Sequence, residues 1–293
     1  MSNVRVNCHY FVLNICSLII LVGCFFFIFP SIGRSDQPSE EIHIENGSYL
    51  SIAGNFFGVN YTEHIAPPTD GEYGALGGVN IEAMTVITGQ WFVRGDGDFD
   101  FGSTQYIGAL LNGTPKTSAT NNVILDGELV SGFLFLIGKS TTLAPYAGFG
   151  SHFWHRGLTG TGSYTERYLF FYLPIGLRFE TRLTEDFSFG LDVAFRWNLG
   201  GTIWAYLSQL YPPDKDATGT LGPAVGFKIQ APLVYWLGPS IGLRLVPFFE
   251  YFDIGQGNSF PTYFATGAFD QTLQEPSSTT YFYGVRLGLA YYF

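Results

Sequence analysis

The chain has 293 residues, of which 13% are charged and 18% aromatic, with 37 glycines and a formal net charge of −10. Soluble domains carry about 25% charged residues, and an acidic balance argues against a basic groove for nucleic acid. Beyond residue 35 no run reaches the ~18 consecutive apolar residues of a membrane-spanning helix, which leaves a sheet that turns alternate residues toward lipid.

Residues 1–35 read as an export signal. Arg5 is the positive flank, an apolar stretch runs from Phe11 to Phe29, Pro30 ends it, and Ser31, Gly33 and Ser35 offer small residues to a peptidase. The same stretch is long enough to be read as one membrane helix, and Leu21-Val22-Gly23-Cys24 resembles a lipoprotein box, although Phe25-Phe26-Phe27 makes a poor start for a lipidated linker. Cys8, Cys16 and Cys24 are the only cysteines, so a processed chain has no disulfide and no thiol chemistry. All acidic residues follow residue 35, and loss of Arg5 and Arg34 takes the net charge from −10 to −12. Residues 36–47 form a short polar lead-in on the periplasmic side, and 48–293 form one domain.

Ten segments of that domain have strand character: 48–62, 73–87, 90–111, 122–137, 141–155, 164–182, 186–199, 218–231, 239–254 and 279–293. Each exceeds the ~9–11 residues that cross a bilayer at a tilt. The first alternates weakly, and the third is long enough to hide a hairpin around Gly95-Asp96-Gly97. Short connections (88–89, 138–140, 183–185, 232–238) alternate with long ones (63–72, 112–121, 156–163, 200–217, 255–278). Short turns on one side, long loops on the other and an even strand number are the pattern of an outer-membrane barrel. The expected fold is an all-β, transmembrane, antiparallel up-and-down β-barrel of about ten strands, within a range of eight to twelve, with both termini periplasmic.

Strand phase separates two faces. In 164–182, Leu169, Phe171, Leu173, Ile175, Leu177 and Phe179 oppose Arg178, Glu180 and Arg182; in 186–199, Phe187, Phe189, Leu191, Val193, Phe195 and Trp197 oppose Asp192 and Arg196. An Arg or Lys facing lipid near the midplane costs about 2–4 kcal/mol, so the charged faces are assigned to the interior. The expected lumen network comprises Glu82, Arg94, Asp126, Glu128, Arg178, Glu180, Arg182, Asp192, Arg196, Lys228, Arg244, Glu250 and Arg286, together with Asp96, Asp98 and Asp100. Near-balance of cations and anions predicts mutual pairing in a narrow lumen, because barrels of about eight strands are filled by side chains whereas those of 16–18 hold water.

The last segment, T-T-Y-F-Y-G-V-R-L-G-L-A-Y-Y-F, alternates throughout and stops on Phe293. With the export signal, the ten alternating segments and the hairpin 173–197 around Thr184-Glu185-Asp186, it resembles the small bacterial outer-membrane β-barrels of the OmpA-type and related superfamily. The resemblance covers nearly all of the chain after the signal. It implies a Gram-negative outer membrane with its lipid and lipopolysaccharide as surroundings, and a terminal strand read by the barrel-assembly machinery through Leu287, Leu289, Tyr291 and Phe293. It does not imply an activity, because similar barrels serve as adhesins, enzymes, pores and structural proteins.

Candidate sites are few. Asp96, Asp98 and Asp100 are spaced as a carboxylate wall but lack the glycine and distal glutamate of an EF-hand loop. His152 and His155 flank Phe153-Trp154 near an outer strand end. Omptin proteases and lipid A deacylases are barrels with a catalytic histidine near that rim, but no Asp-x-His pair of the omptin kind is present; only His152 matches the inward phase, and an amphipathic rim position is expected for it. Trp204, Tyr206, Tyr211, Phe260, Tyr263 and Phe264 make the two longest outer loops apolar, so these loops are expected to plug the mouth, extend strands, or bind a hydrophobic ligand or surface. The triplets at Asn46, Asn60 and Asn112 read as chance matches to a glycosylation signal. No phosphate-cradling loop, zinc-ligand set or nucleophile elbow is present, so no cofactor and no metal are expected. The leading function is structural anchoring, surface interaction or slow passage of small solutes; a rim hydrolase and a hydrophobic-ligand barrel are the alternatives.

Overall fold

The computed structural model describes residues 47–65, 69–88, 90–110, 113–138, 140–210 and 214–293. The export signal, the lipoprotein-box reading at Cys24, the lead-in through residue 46, and Tyr211 lie outside the described residues. The strands are β1 (Tyr49–Glu63), β2 (Gly71–Thr88), β3 (Trp91–Ala109), β4 (Pro115–Phe133), β5 (Phe135–Leu136), β6 (Thr141–Leu158), β7 (Thr165–Thr184), β8 (Phe187–Ala205), β9 (Ala217–Thr220), β10 (Ala224–Gln230), β11 (Leu233–Trp236), β12 (Ile241–Ile254), β13 (Ser259–Tyr263), β14 (Phe269–Gln274) and β15 (Ser278–Tyr292). All but β13 and β14, which pair as a separate two-stranded sheet, build a closed ten-staved antiparallel barrel, in which β5 continues the stave of β4, and β9, β10 and β11 share the stave between β8 and β12. Closure runs through β1, whose Tyr49 lies opposite both Met84 of β2 and Tyr292 of β15. Lipid offers backbone groups no hydrogen-bond partner, so a spanning sheet has to close on itself.

Alternation decides the two surfaces. In β1, Tyr49, Ser51, Ala53, Asn55, Phe57, Val59 and Tyr61 are buried, while Leu50, Ile52 and Phe56 are exposed. In β15, Phe282, Arg286, Ala290 and Tyr292 point inward, and Tyr283, Val285, Leu287, Leu289 and Tyr291 point out. Aromatic side chains gather at the two ends of the apolar band: Trp91 packs edge-on against Phe133 at 5.4 Å near the turns, and Tyr251 lies 5.2 Å from Tyr281 toward the loops. Apolar surface between aromatic girdles is what a bilayer contact requires.

Four expectations are corrected. The third segment is one continuous strand with no hairpin at Gly95-Asp96-Gly97; Gly97 pairs across to Ile81 and Gly127 within an unbroken ladder. The fourth starts at Pro115 instead of residue 122, because its first residues (PKTSATN) run above the lipid, where neither face has to be apolar. The expected turn 232–238 contracts to 237–240, since β11 resumes pairing with β8 and β12 after a break at Ala231-Pro232. The seventh runs on to Ala205: Phe171 pairs with Gly200 and Tyr172 with Asn198, leaving Leu199 unpaired in a bulge where Gly200 takes φ 119°. The bulge inverts the phase, so Asp192 and Arg196 face in below it and Ile203 and Ala205 above it.

The outward phase makes a direct prediction. Val79 is 44% exposed on the outer face of β2, near the middle of the run between Tyr73 and Ile87. Val79→Arg is expected to destabilise the folded barrel by about 2–4 kcal/mol in lipid vesicles, measured by urea unfolding.

Candidate functional site

The interior is built of side chains that meet across the barrel axis. Near the short turns lies an apolar and aromatic cluster including Tyr49, Phe92, Tyr146, Val234, Trp236 and Tyr292. Toward the loops lies a larger one including Phe57, Tyr61, Trp154, Tyr168, Phe170, Tyr172, Phe252 and Phe282. The charged residues fall between them: along β4 the inward order is Val130, Glu128, Asp126, Ile124, and along β15 it is Ala290, Arg286, Phe282.

Within this charged zone, partners come from distant staves. Arg94 of β3 meets Asp192 of β8 at 2.6 Å. Glu128 of β4 accepts from Lys228 of β10 at 3.0 Å and from Arg196 of β8 at 3.3 Å, and lies 3.9 Å from Arg94. Arg196 also meets Glu250 at 2.6 Å. Arg286 reaches Asp98 at 3.0 Å and Glu250 at 3.5 Å. Glu82 lies 3.5 Å from Arg178 and 3.6 Å from Arg244, and Arg178 Nε donates to Glu180 at 2.5 Å. Across the full width, Arg178 Nη1 donates to the Tyr49 hydroxyl at 3.1 Å. Amides complete the Asp96–Asp98–Asp100 wall: Asn80 donates to Asp96 and Asp98, and Asn55 to Asp98 and Asp100, at 2.6–3.0 Å. These aspartates form a charged inner wall, as one of the two sequence readings had it.

Thus twelve of the thirteen residues expected in the network converge in the interior. Arg182 does not: it sits at the turn end of β7, donating to the carbonyls of Thr184 (3.1 Å) and Glu185. Its phase is inward, but the strand leaves the sealed zone before reaching it. The tyrosines and asparagines that complete the network gave no sequence signal, because alternation flags charge in an apolar run and passes over neutral donors.

His152 is also corrected. It is 3% exposed and lies inside the barrel, not at an amphipathic rim. Its Nδ1 is 2.8 Å from Asp126 Oδ2, and the Tyr172 hydroxyl donates to the other Asp126 oxygen at 2.8 Å. Its ring stacks on Phe170 with centroids 4.9 Å apart and packs on Phe252 and Phe282. The cavity beside it, bounded also by Trp154, Tyr168 and Glu275, is about 10 Å³, the room of about one water molecule. His155 lies on the outer surface, accepting from Arg167 at 3.3 Å.

A second polar group lies above the upper aromatics, at a level where the outward residues include the polar Asn60, Gln105 and Arg167. Arg156 is its guanidinium, bonded to Glu72 and Glu166 at 3.0 Å each and lying 4.3 Å above the Tyr61 ring. Glu63 accepts from Tyr61 at 2.9 Å, and Glu275 from Tyr168 at 3.0 Å. Burial pushes the Glu63 carboxyl up to about 7, and burial with the neighbouring Glu166 and Glu63 holds Glu275 well above the usual carboxylate range. Sequence reading missed this group because its members sit at strand ends and in a loop, outside the alternating apolar runs.

The outer-loop aromatics divide. Trp204 is a strand residue of β8, opposite Arg167 and Thr218, and Tyr206 lies under the Arg167 guanidinium at 4.8 Å, so both extend the wall instead of forming a free loop. Phe260 and Tyr263 belong to β13 and Phe264 bridges to Asp214, so these three sit on a folded hairpin, β13–β14, with Phe260 packed inward against Ala205, Leu207 and Ala217. At the chain end, Leu287, Leu289, Tyr291 and Phe293 all face outward, and the Phe293 amide bonds to the Ser48 carbonyl at 3.0 Å.

No protein-family model and no curated protein sequence matches the chain. Among solved structures, the outer-membrane protease OmpT from Escherichia coli superposes with a TM-score of 0.60 at 13% identity, over 87% of this chain and 99% of that one. The translocator domain of the autotransporter NalP from Neisseria meningitidis follows at 0.39 and 12% identity (86% and 90% covered), and OprG from Pseudomonas aeruginosa at 0.35 and 12% (85% and 97%). The likeness to OmpT is one of fold: this chain has the closed ten-strand architecture of an outer-membrane β-barrel.

Proposed function

We propose that the chain is a closed barrel of the Gram-negative outer membrane, exported by its N-terminal segment, which serves as an anchor and surface-interaction protein and not as an open pore. The observation that carries this reading is the interior. Charges from staves three or four places apart around the ring meet at 2.6–3.3 Å, and aromatic clusters lie on both sides of them. Water-filled lumens leave charges hydrated along the wall, whereas here each of these charges lies against an opposite one. The outward run Leu287, Leu289, Tyr291 and Phe293 supports recognition of the terminal strand by an assembly machinery, and the apolar band and girdles support a surrounding of lipid and lipopolysaccharide.

The purified chain in planar bilayers is expected to show no steady channels at ±100 mV across neutral pH; large, long-lived conductance steps would overturn the closed reading. A hydrolase reading draws on the Asp126–His152 pair and on the fold of OmpT. The packing of His152 among Phe170, Phe252 and Phe282 favours a positioning role for that pair, because a general base has to come within hydrogen-bond reach of its substrate.

A further inference from the structure

The hairpin β13–β14 returns to the barrel through a buried carboxyl group, that of Glu275. Phe260 and Leu273 face inward against Ala205, Leu207, Ala217 and Tyr164. The hairpin is tied laterally by the Lys215 amide to the Tyr263 carbonyl at 2.8 Å and by the bridge between Asp214 and Phe264. Its descending end is Glu275, whose carboxyl group enters the barrel mouth, takes the Tyr168 hydroxyl bond, and lines with His152 the aromatic cavity. The outer faces of Tyr263, Phe264 and Phe269 are exposed.

We propose that β13–β14 is a lid over the outer mouth, latched by Glu275 in its uncharged form and released when the carboxyls beneath it ionise. The geometry supplies the imbalance. Glu275 faces Tyr61 and Glu63 of β1, Arg156 of β6, Tyr164 just before β7, and Glu166 and Tyr168 at its start; Glu72 of β2 completes the group, and Asp70 and Tyr106 lie beside Glu63. Four glutamates thus surround a single guanidinium. Arg156 is bonded to Glu72 and Glu166, and the hydrogen bonds given to Glu63 and Glu275 come from tyrosine hydroxyls. With the single guanidinium already bonded to two of the four, the buried Glu275 and the half-buried Glu63 favour their neutral forms, since burying a poorly paired charge is far costlier than burying a hydrogen-bonded neutral acid. The upward displacement of both carboxyls agrees with this count.

The direction of the pH effect follows. A carboxyl raised in the closed state holds its proton there more tightly than in the open one. The closed form therefore has its full advantage below the ordinary carboxyl value of 4.5, loses it as pH rises, and has lost the Glu63 share once pH passes about 7. Opening does not breach the charged zone below. It uncovers an outward-facing aromatic cup walled by Tyr61, Trp154, Tyr168, Phe170, Phe252 and Phe282.

The test reads the lid itself. Leu273→Cys, on the inner face of β14, is labelled with a membrane-impermeant maleimide on intact barrels between pH 5 and 9. Rates are divided by those of Phe269→Cys on the exposed face, which cancels the intrinsic pH dependence of the thiol; the parent chain, whose cysteines all precede residue 47, supplies the background. The normalised rate is expected to rise about tenfold or more from pH 5 to pH 9. With Glu275→Gln, or with Glu63→Gln should the first fail to assemble, the rise is expected to shrink at least threefold. A flat wild-type profile, or an unchanged rise in both glutamine variants, overturns the latch. The proposal rests on the closed-barrel reading, but the two fail separately: labelling reports the lid, and bilayer recording reports the lumen beneath it.

Discussion

Glu128→Ala is expected to cost the folded barrel about 3–5 kcal/mol, among the largest effects of any interior substitution. Glu128 is fully enclosed and shared by three cations: Lys228 at 3.0 Å, Arg196 at 3.3 Å and Arg94 at 3.9 Å. Arg94 keeps Asp192 and Arg196 keeps Glu250, so the loss falls hardest on Lys228, whose next acidic neighbour is Asp96 at 3.9 Å. Removing one partner leaves the other's desolvation uncompensated, whereas replacing both by apolar groups of similar volume is close to neutral. The double variant Glu128→Met with Lys228→Met is therefore expected to recover at least half of the loss. Urea unfolding in detergent or lipid, followed by the shift between compact and unfolded bands on gels, measures both. A single variant within about 1 kcal/mol of wild type would mean that water, not Glu128, stabilises these cations, and the sealed-lumen account would fall with it.

Much of this architecture was legible because the bilayer imposes a period of two on the sequence. Where a stave crosses lipid, one face must be apolar, and charges such as Arg178, Asp192 and Arg286 then mark the other; their inward placement follows from that alone. Legibility stops where the lipid stops. Residues 115–121 of β4 and 200–205 of β8 continue the hydrogen-bonded ladder, but with water outside, neither face has to be greasy, so they read as loop. The phase inversion at Leu199–Gly200 hides the rest of β8 a second way, since the alternation breaks there. The interior network was legible as a list of charges but not as a set of pairs, because pairing depends on stave positions around the barrel: Arg94 with Asp192 is a contact across 98 residues of sequence. The Arg156 group and the Glu275 latch were invisible for both reasons together. They lie above the lipid, and they join β1, β2, β6, β7 and the segment before β15, which only closure brings to one place.

Closure itself depends on a seam that tolerates no side chain at Gly284 and Gly288 of β15, and Gly288 shows why. Gly288 of β15 lies opposite Ala53 of β1 and Arg244 of β12. A Cβ built there would press into the Ile52 carbonyl oxygen and come within 2.5 Å of the Ala53 Cα, both backbone atoms that no rotamer change can move aside. The absent side chain lets β15 lie close against β1 on the inner surface, where Asn55 opposite Arg286 and Ala53 opposite Gly288 alternate large and small. Gly288→Val is thus expected to cost about 3 kcal/mol or more and to reduce sharply the yield of compact, heat-resistant barrel. Leu287→Val, one residue away on the lipid face, is expected to cost less than about 1.5 kcal/mol because it only trims a side chain that meets acyl chains. The comparison isolates the seam: both variants place the same residue in the same strand, so a shared loss would point to strand propensity, and only a loss confined to Gly288→Val marks the inner surface of the β1–β15 junction as a tight point of closure. Since the last strand to be made must find the first, a block at this junction leaves two unpaired edges facing lipid, and with them the most expensive defect this fold can carry.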